Sequence, residues 1–351
     1  MDKNYIPRGK FRDDFLTGLT SLPYISKYCN DKNSELDIKV RGDYLNIYYK
    51  GGNLLKLKGK NGIEFDEYYY LPQVDAKGLC SSDIKKLIKE DYKSGEKISK
   101  SKYLRGLTSS QIETKRQDAL SIHQELETRC KEMTNKLQRA TSYEETVELI
   151  ENMKEVMCKW NASHAKSKNE RSIQHYISLN NRTFDNSTDY VVLDIEYALP
   201  YEATYFNRDE YSRNQHPRVD VVAIDRTGQI YIMELKYGMK SVNNKSGIKS
   251  HTDDFNATIG HPDKWRSFME DIKILFDYQI EKGFISRDLM LDMNKKPCFA
   301  FIMKMEKKND KNSFKEKLKQ EGLTDIMTLY LPLDEDKNEY PPENYKLKFQ
   351  S

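Results

Sequence analysis

The chain has 351 residues, 37% hydrophobic and 32% charged, with a formal net charge of +3. That is length for about two to three domains with adequate cores. No run of about 18 apolar residues exists, which excludes a membrane-spanning helix, and so small a charge demands no nucleic-acid partner while allowing one where basic residues cluster. The five cysteines fall in no CxxC-type spacing, so reduced thiols are expected rather than a disulfide or zinc framework. The opening "MDKNYIPRGKFRDDF" lacks an apolar signal core, and the expected location is the cytoplasm.

Along the chain, "ELDIKVRGDYLNIYYKGGNLLKLKGKNGIEFDEYYY" alternates apolar and polar residues between Gly-rich turns. It predicts a small antiparallel meander within a β-rich N-terminal domain, residues 1–92. Tyr44, Tyr48, Tyr49, Tyr68, Tyr69 and Tyr70 are read as strand packing rather than as base-stacking platforms. Residues 89–102 are polar and aperiodic, a linker. Ile112, Ala119, Ile122, Leu126, Cys130, Met133 and Leu137 then form an amphipathic stripe, and Ile150, Met153, Met157 and Trp160 form another. Ser142 and Glu145 make a capping box between them. The pair predicts a helical hairpin over residues 103–164, available to bridge domains or to meet a second copy or a partner protein.

The last block, residues 165–351, reads as α/β with a mixed sheet. "KNERSIQHYISLNN" predicts a helix, "DYVVLDIEYALPYE" a strand, and residues 218–238, "RVDVVAIDRTGQIYIMELKYG", a hairpin. Residues 250–283 are mostly helical, with Phe268, Ile272, Leu275 and Phe276 on one stripe. "PCFAFIMKME" is a further strand and "DIMTLYLPL" another.

A turn centred on Thr227 sets Ile224 opposite Ile230, Val222 opposite Ile232 and Asp220 opposite Glu234, with Lys236 on the same face. Two carboxylates about 5 Å apart on paired strands repel each other and call for a shared proton or a cation. Hard oxygen donors of this kind suit Mg²⁺, with a lysine beside the metal. The competing reading is an exposed salt-bridge cluster on an edge strand. Beyond the hairpin, Lys240, Lys245 and Lys249 lie in a Gly/Asn/Ser loop where they can meet phosphates. Arg218 and Lys264 are similar cases. His216, His251 and His261 have no visible pairing that would make one of them a general base.

Asp220, thirteen intervening residues and then Glu234-Leu235-Lys236 resemble the core motif of the PD-(D/E)XK nuclease superfamily. Val219 stands where that family usually has proline before its aspartate. The order helix, three strands, helix, strand is similar to the family's restriction-endonuclease-like αβββαβ core, over roughly residues 165–305. The resemblance implies that Asp220, Glu234 and the Leu235 carbonyl hold Mg²⁺, for which Mn²⁺ substitutes, and that Lys236 is catalytic. It also implies an acidic residue on the first core helix: Glu170 is preferred, and Glu196 is the rival. The expected function is that of a Mg²⁺-dependent DNA endonuclease in restriction or antiphage defence. The alternative is a non-catalytic nucleic-acid-binding or sensor protein that keeps the fold.

Overall fold

The computed structural model describes residues 21–41, 44–58, 62–89, 106–163, 170–198, 218–242, 247–257, 259, 265–334 and 342–349. Residues 90–102 of the expected linker, His216, Lys245, His261 and Lys264 lie outside them. Helix α1, Leu22–Asn30, precedes β1, Asp37–Val40, and β2, Leu45–Tyr49, which pair antiparallel with Ile38 opposite Ile47. Strands β3, Gly52–Leu57, and β4, Ile63–Glu64, pair likewise, and the four form one sheet in chain order, the expected meander. Lys50 and Gly51 both take positive φ, 47° and 81°, the conformation of a two-residue hairpin turn whose twist matches the strands.

The tyrosine run departs from the expected strand. Glu67–Gln73 is a 3-10 helix, started by the Asp66 carboxylate accepting from the Tyr68 N–H at 3.0 Å and containing Pro72. A side-chain cap and a missing N–H both favour a helical turn over a ladder. Tyr68, Tyr69 and Tyr70 are nonetheless buried.

Helix α2, Ser81–Leu87, is followed by α3, Ser109–Arg139, and α4, Tyr143–Ser163. Their stripes are where periodicity puts them, with Ala119, Ile122, Leu126, Leu137, Ile150, Met153 and Met157 all buried. Ser142 accepts from the Glu145 N–H, while Glu145 reaches back to the Thr141 N–H, one residue earlier than a standard capping box.

Next come α5, Glu170–Asn180, β5, Tyr190–Ala198, β6, Arg218–Asp225, and β7, Ile230–Tyr237. Then follow α6, Gly238–Val242, α7, Ile248–Ala257, α8, Trp265–Glu281, β8, Cys298–Lys304, α9, Asp310–Gln320, and β9, Met327–Leu331. The five strands form a mixed sheet in the order β5-β6-β7-β8-β9, antiparallel up to β7 and parallel after it. Helix α5 seals one face with Ile173 and Ile177 over Val221, Ala223, Met233, Leu235, Ala300 and Ile302. The opposite face of β8 buries Phe301 and Met303 under Val242, Ile248, Phe314 and Leu318. Each such aliphatic side chain contributes about 1.5–3 kcal/mol by burial. All five cysteines are free, and no described helix is long and apolar enough to cross a membrane.

Two compact units emerge, in place of the three consecutive blocks read from the sequence. The described parts of residues 29–53 and 167–351 form one, and those of residues 14–28 and 54–166 form the other. The first hairpin belongs with the mixed sheet for a physical reason. Arg41, 8% exposed, ion-pairs with Asp194, 1% exposed, and donates to the Ile195 carbonyl at 2.7 Å. Breaking one partner of a buried ion pair strands the other charge, so the hairpin is tightly held. Gly51 adds a steric contact: a Cβ there would lie 2.5 Å from the Ser172 backbone nitrogen in the first turn of α5.

Gly51→Ala therefore meets both left-handed strain and a backbone clash, and it should lower unfolding stability by about 2 kcal/mol or more in denaturant titration. A second expectation concerns His175, fully buried on α5 with its Nε2 3.1 Å from the Glu35 carbonyl. Burial pushes its pKa down to about 4 from 6.5, so the folded ring stays neutral where the unfolded ring takes a proton. The stability it contributes is full above pH 6.5, is lost as pH falls and levels off below about 4, about 3 kcal/mol in all. Urea midpoints across that window should fall less steeply in His175→Gln than in the unaltered chain.

Candidate active site

The β6–β7 hairpin is closed at its turn and open at its far end. At the turn, Asp225 Oδ1 accepts from the Thr227 and Gln229 N–H groups, and Gly228 takes φ 80°. This Asx turn fixes the register: Ile224 opposite Ile230, Val222 opposite Ile232, Val221 opposite Met233. The next positions in that register are Asp220 and Glu234, the juxtaposition the sequence predicts. The ladder ends before them, and the strands fork. The Leu235 N–H donates at 2.8 Å to Asp220 Oδ2 instead of to a strand carbonyl.

Within the fork the two carboxyls come within hydrogen-bonding reach of each other. Burial and the Asp220 charge push Glu234 well above the usual carboxylate range; Glu234 is 3% exposed. Burial also raises Asp220, opposed by the Leu235 N–H, the bond to Glu234 and the charge of Lys236. Lys236 is itself buried. The edge-strand salt-bridge reading therefore gives way: the pair sits on a central hairpin, with Glu234 and Lys236 buried and Asp220 partly buried.

Helix α5 meets the fork with two residues one turn apart. Glu170, half-buried, accepts from the Tyr237 N–H; burial raises its pKa, the Lys236 charge lowers it, and the Asp220 charge raises it. Gln174 donates from Nε2 to Asp220 Oδ1 at 2.5 Å. The rival carboxylate, Glu196, is also close, since its charge acts on Asp220. It occupies the β5 position across from Asp220, between the pairs Ile195–Val221 and Tyr197–Val219, and takes a left-handed φ of 49°. Its Oε1 is 3.7 Å from Arg171 Nε. Both acidic candidates therefore face the site.

His251 on α7 also belongs here, its Nδ1 3.2 Å from Glu234 Oε2. The sequence offers no pairing for it, because its partner is brought by the fold across seventeen residues. Gln174 is the other residue that sequence reading missed; its one signal is an amide on the inward stripe with Ile173 and Ile177. Lys240 on α6 and Lys249 on α7 are exposed, and the Lys249 charge acts on Glu321. Arg218 is exposed at the start of β6.

Among the described residues, no three His, Cys, Asp or Glu side chains are arranged as a ready cage for a metal. A hard divalent ion that keeps most of its waters needs only one or two carboxylates. Asp220 and Glu234 are a fitting pair in that respect: hard oxygen donors whose mutual repulsion a cation would relieve. Comparison with protein-family models, with curated proteins and with solved structures gives no match.

Proposed function

We propose that the chain is a Mg²⁺-dependent nuclease hydrolysing phosphodiester bonds, DNA foremost, on a restriction-endonuclease-like core. The observation that carries this reading is the Asp220–Glu234 pair in the open fork of β6 and β7, where the buried Glu234 and Lys236 meet the partly buried Asp220. A fold gains nothing in stability by crowding two repelling carboxyls in a largely desolvated fork, so the pair points to chemistry. The order α5, three antiparallel strands, α8 and a parallel β8 agrees with the αβββαβ core that the motif implies.

Asp220 and Glu234 would hold the cation, with the Leu235 carbonyl as a backbone donor, and Mn²⁺ would substitute. When bound, Mg²⁺ supplies Lewis acidity: a more acidic water and a polarised phosphoryl oxygen. Lys236 sets a fixed positive charge beside the pair, where negative charge develops on the phosphoryl group as the water bonds phosphorus and the 3′ oxygen departs. Glu170 holds the Tyr237 N–H, and so steadies the end of the strand that carries Lys236. Exposed Lys240 and Lys249 suit the phosphate backbone, where contacts add affinity without reading sequence.

A nuclease core joined to a separate helical unit suits a restriction or antiphage-defence role, by analogy alone. The α3–α4 hairpin, with Leu120 exposed, offers a surface to a second copy or a partner protein.

Supercoiled plasmid, linear duplex, single-stranded DNA and RNA should each be incubated with the purified chain in Mg²⁺ or EDTA. Cleavage of DNA is expected in Mg²⁺ and none in EDTA. Asp220→Asn, Glu234→Gln and Lys236→Met should each slow it by about 10²-fold or more with unchanged circular dichroism. Cleavage that survives in EDTA, or in all three variants, would overturn the assignment.

A further inference from the structure

We infer that Gln174 and His251 are positioning residues, holding the Asp220–Glu234 pair from opposite faces of the sheet in the geometry that takes up the cation. The inference rests on the nuclease reading and adds two residues that lie outside the Asp220, Glu234-Leu235-Lys236 motif.

Gln174 is 4% exposed, on the stripe of α5 that also buries Ile173 and Ile177. Packing alone would favour an apolar side chain there. The amide makes one bond, from Nε2 to Asp220 Oδ1, while its Oε1 has no hydrogen-bond partner. A half-satisfied buried amide is unfavourable for the fold. What offsets that in function is its grip on Asp220. With the Leu235 N–H on Oδ2, both oxygens of Asp220 are fixed, one by β7 and one by α5.

Glu234 is held from the other side. Helix α7 packs through Ile248 with Phe301 and Met303, on the face opposite α5. It brings His251 Nδ1 to 3.2 Å from Glu234 Oε2. The contact that a cation would replace is the one between the two carboxyls. The contacts to Gln174, Leu235 and His251 come from outside the pair and survive that exchange. Without them, repulsion and free rotation would let the carboxylates swing apart, and each binding event would have to reassemble the donors.

Outer-shell partners of metal-binding carboxylates are worth about 10- to 100-fold in metal affinity. Mn²⁺ binding to the full chain, followed by electron paramagnetic resonance, reads this without turnover. Gln174→Met keeps the shape and loses the donor; His251→Phe keeps a ring and loses the nitrogen. Each should weaken Mn²⁺ binding by about 10- to 100-fold with the melting temperature nearly unchanged. DNA cleavage should recover at high metal concentration, and His251→Gln, which restores a donor, should recover affinity. Unchanged Mn²⁺ affinity in both variants, with the unaltered chain binding normally, overturns the inference and leaves the nuclease reading standing. No binding by the unaltered chain overturns the metal site itself. His251 is partly exposed, so its variant decides the question even where Gln174→Met fails to fold.

Discussion

Two carboxyl groups forced together away from bulk water set the terms for this fold. At about 4 Å, unit charges repel by about 4 kcal/mol in the effective dielectric typical of proteins, more than one buried aliphatic side chain returns. The surroundings of Asp220 and Glu234 read as compensation. Lys236 supplies an opposing charge, and the Leu235 N–H and Gln174 amide fill lone pairs on Asp220. Below the fork, Val222–Ile232 and Ile224–Ile230 continue the ladder as fully buried apolar pairs. The hairpin is stable at its turn so that it can be unfavourable at its mouth.

The first hairpin extends the same economy to the neighbouring strand. Arg41 grips Asp194 and the Ile195 carbonyl, the two residues before Glu196. Glu196 then takes a left-handed conformation that costs a non-glycine residue roughly 1–3 kcal/mol and persists only where neighbours over-determine it. Its consequence is visible in packing. Ile195 joins the core under α5, whereas Tyr197 packs edge-to-face on Phe268 of α8. One strained residue switches the alternation of β5 and leaves its own carboxylate near Asp220.

What the sequence revealed and what it hid divide along a physical line. The β6–β7 register was legible because period-two alternation and an Asp-Arg-Thr-Gly turn leave few alternatives. The stripes of α3 and α4 were legible by the same kind of local repetition. Helix α9 was hidden because Phe314 and Leu318 are its only buried apolar residues, set among lysines. The Tyr68–Tyr70 run, strand-like by propensity, was redirected by the Asp66 cap and Pro72. Hardest to read was the membership of the first hairpin, since Arg41 and Asp194 are 153 residues apart and no local pattern links them. Gln174 and His251 stayed hidden for a chemical reason: a neutral amide and an imidazole on helices carry no signal until the fold supplies their carboxylates.

The end of the sheet that carries the pair is also where the chain changes direction of use. Strands β6 and β7 are antiparallel, so the start of one and the finish of the other coincide there, and β7 is parallel to β8. The carboxyl ends of parallel strands are where α/β sheets hold ligands, because the chain must leave the sheet and enter helices. At Gly238, with φ 61°, β7 turns directly into α6. A fully paired β6–β7 ladder would have spent the Leu235 N–H on a carbonyl and left Asp220 without its backbone donor. Ending the ladder one pair early converts a structural hydrogen bond into one that orients a carboxylate, and it does so where the helices α5 and α7 can both reach.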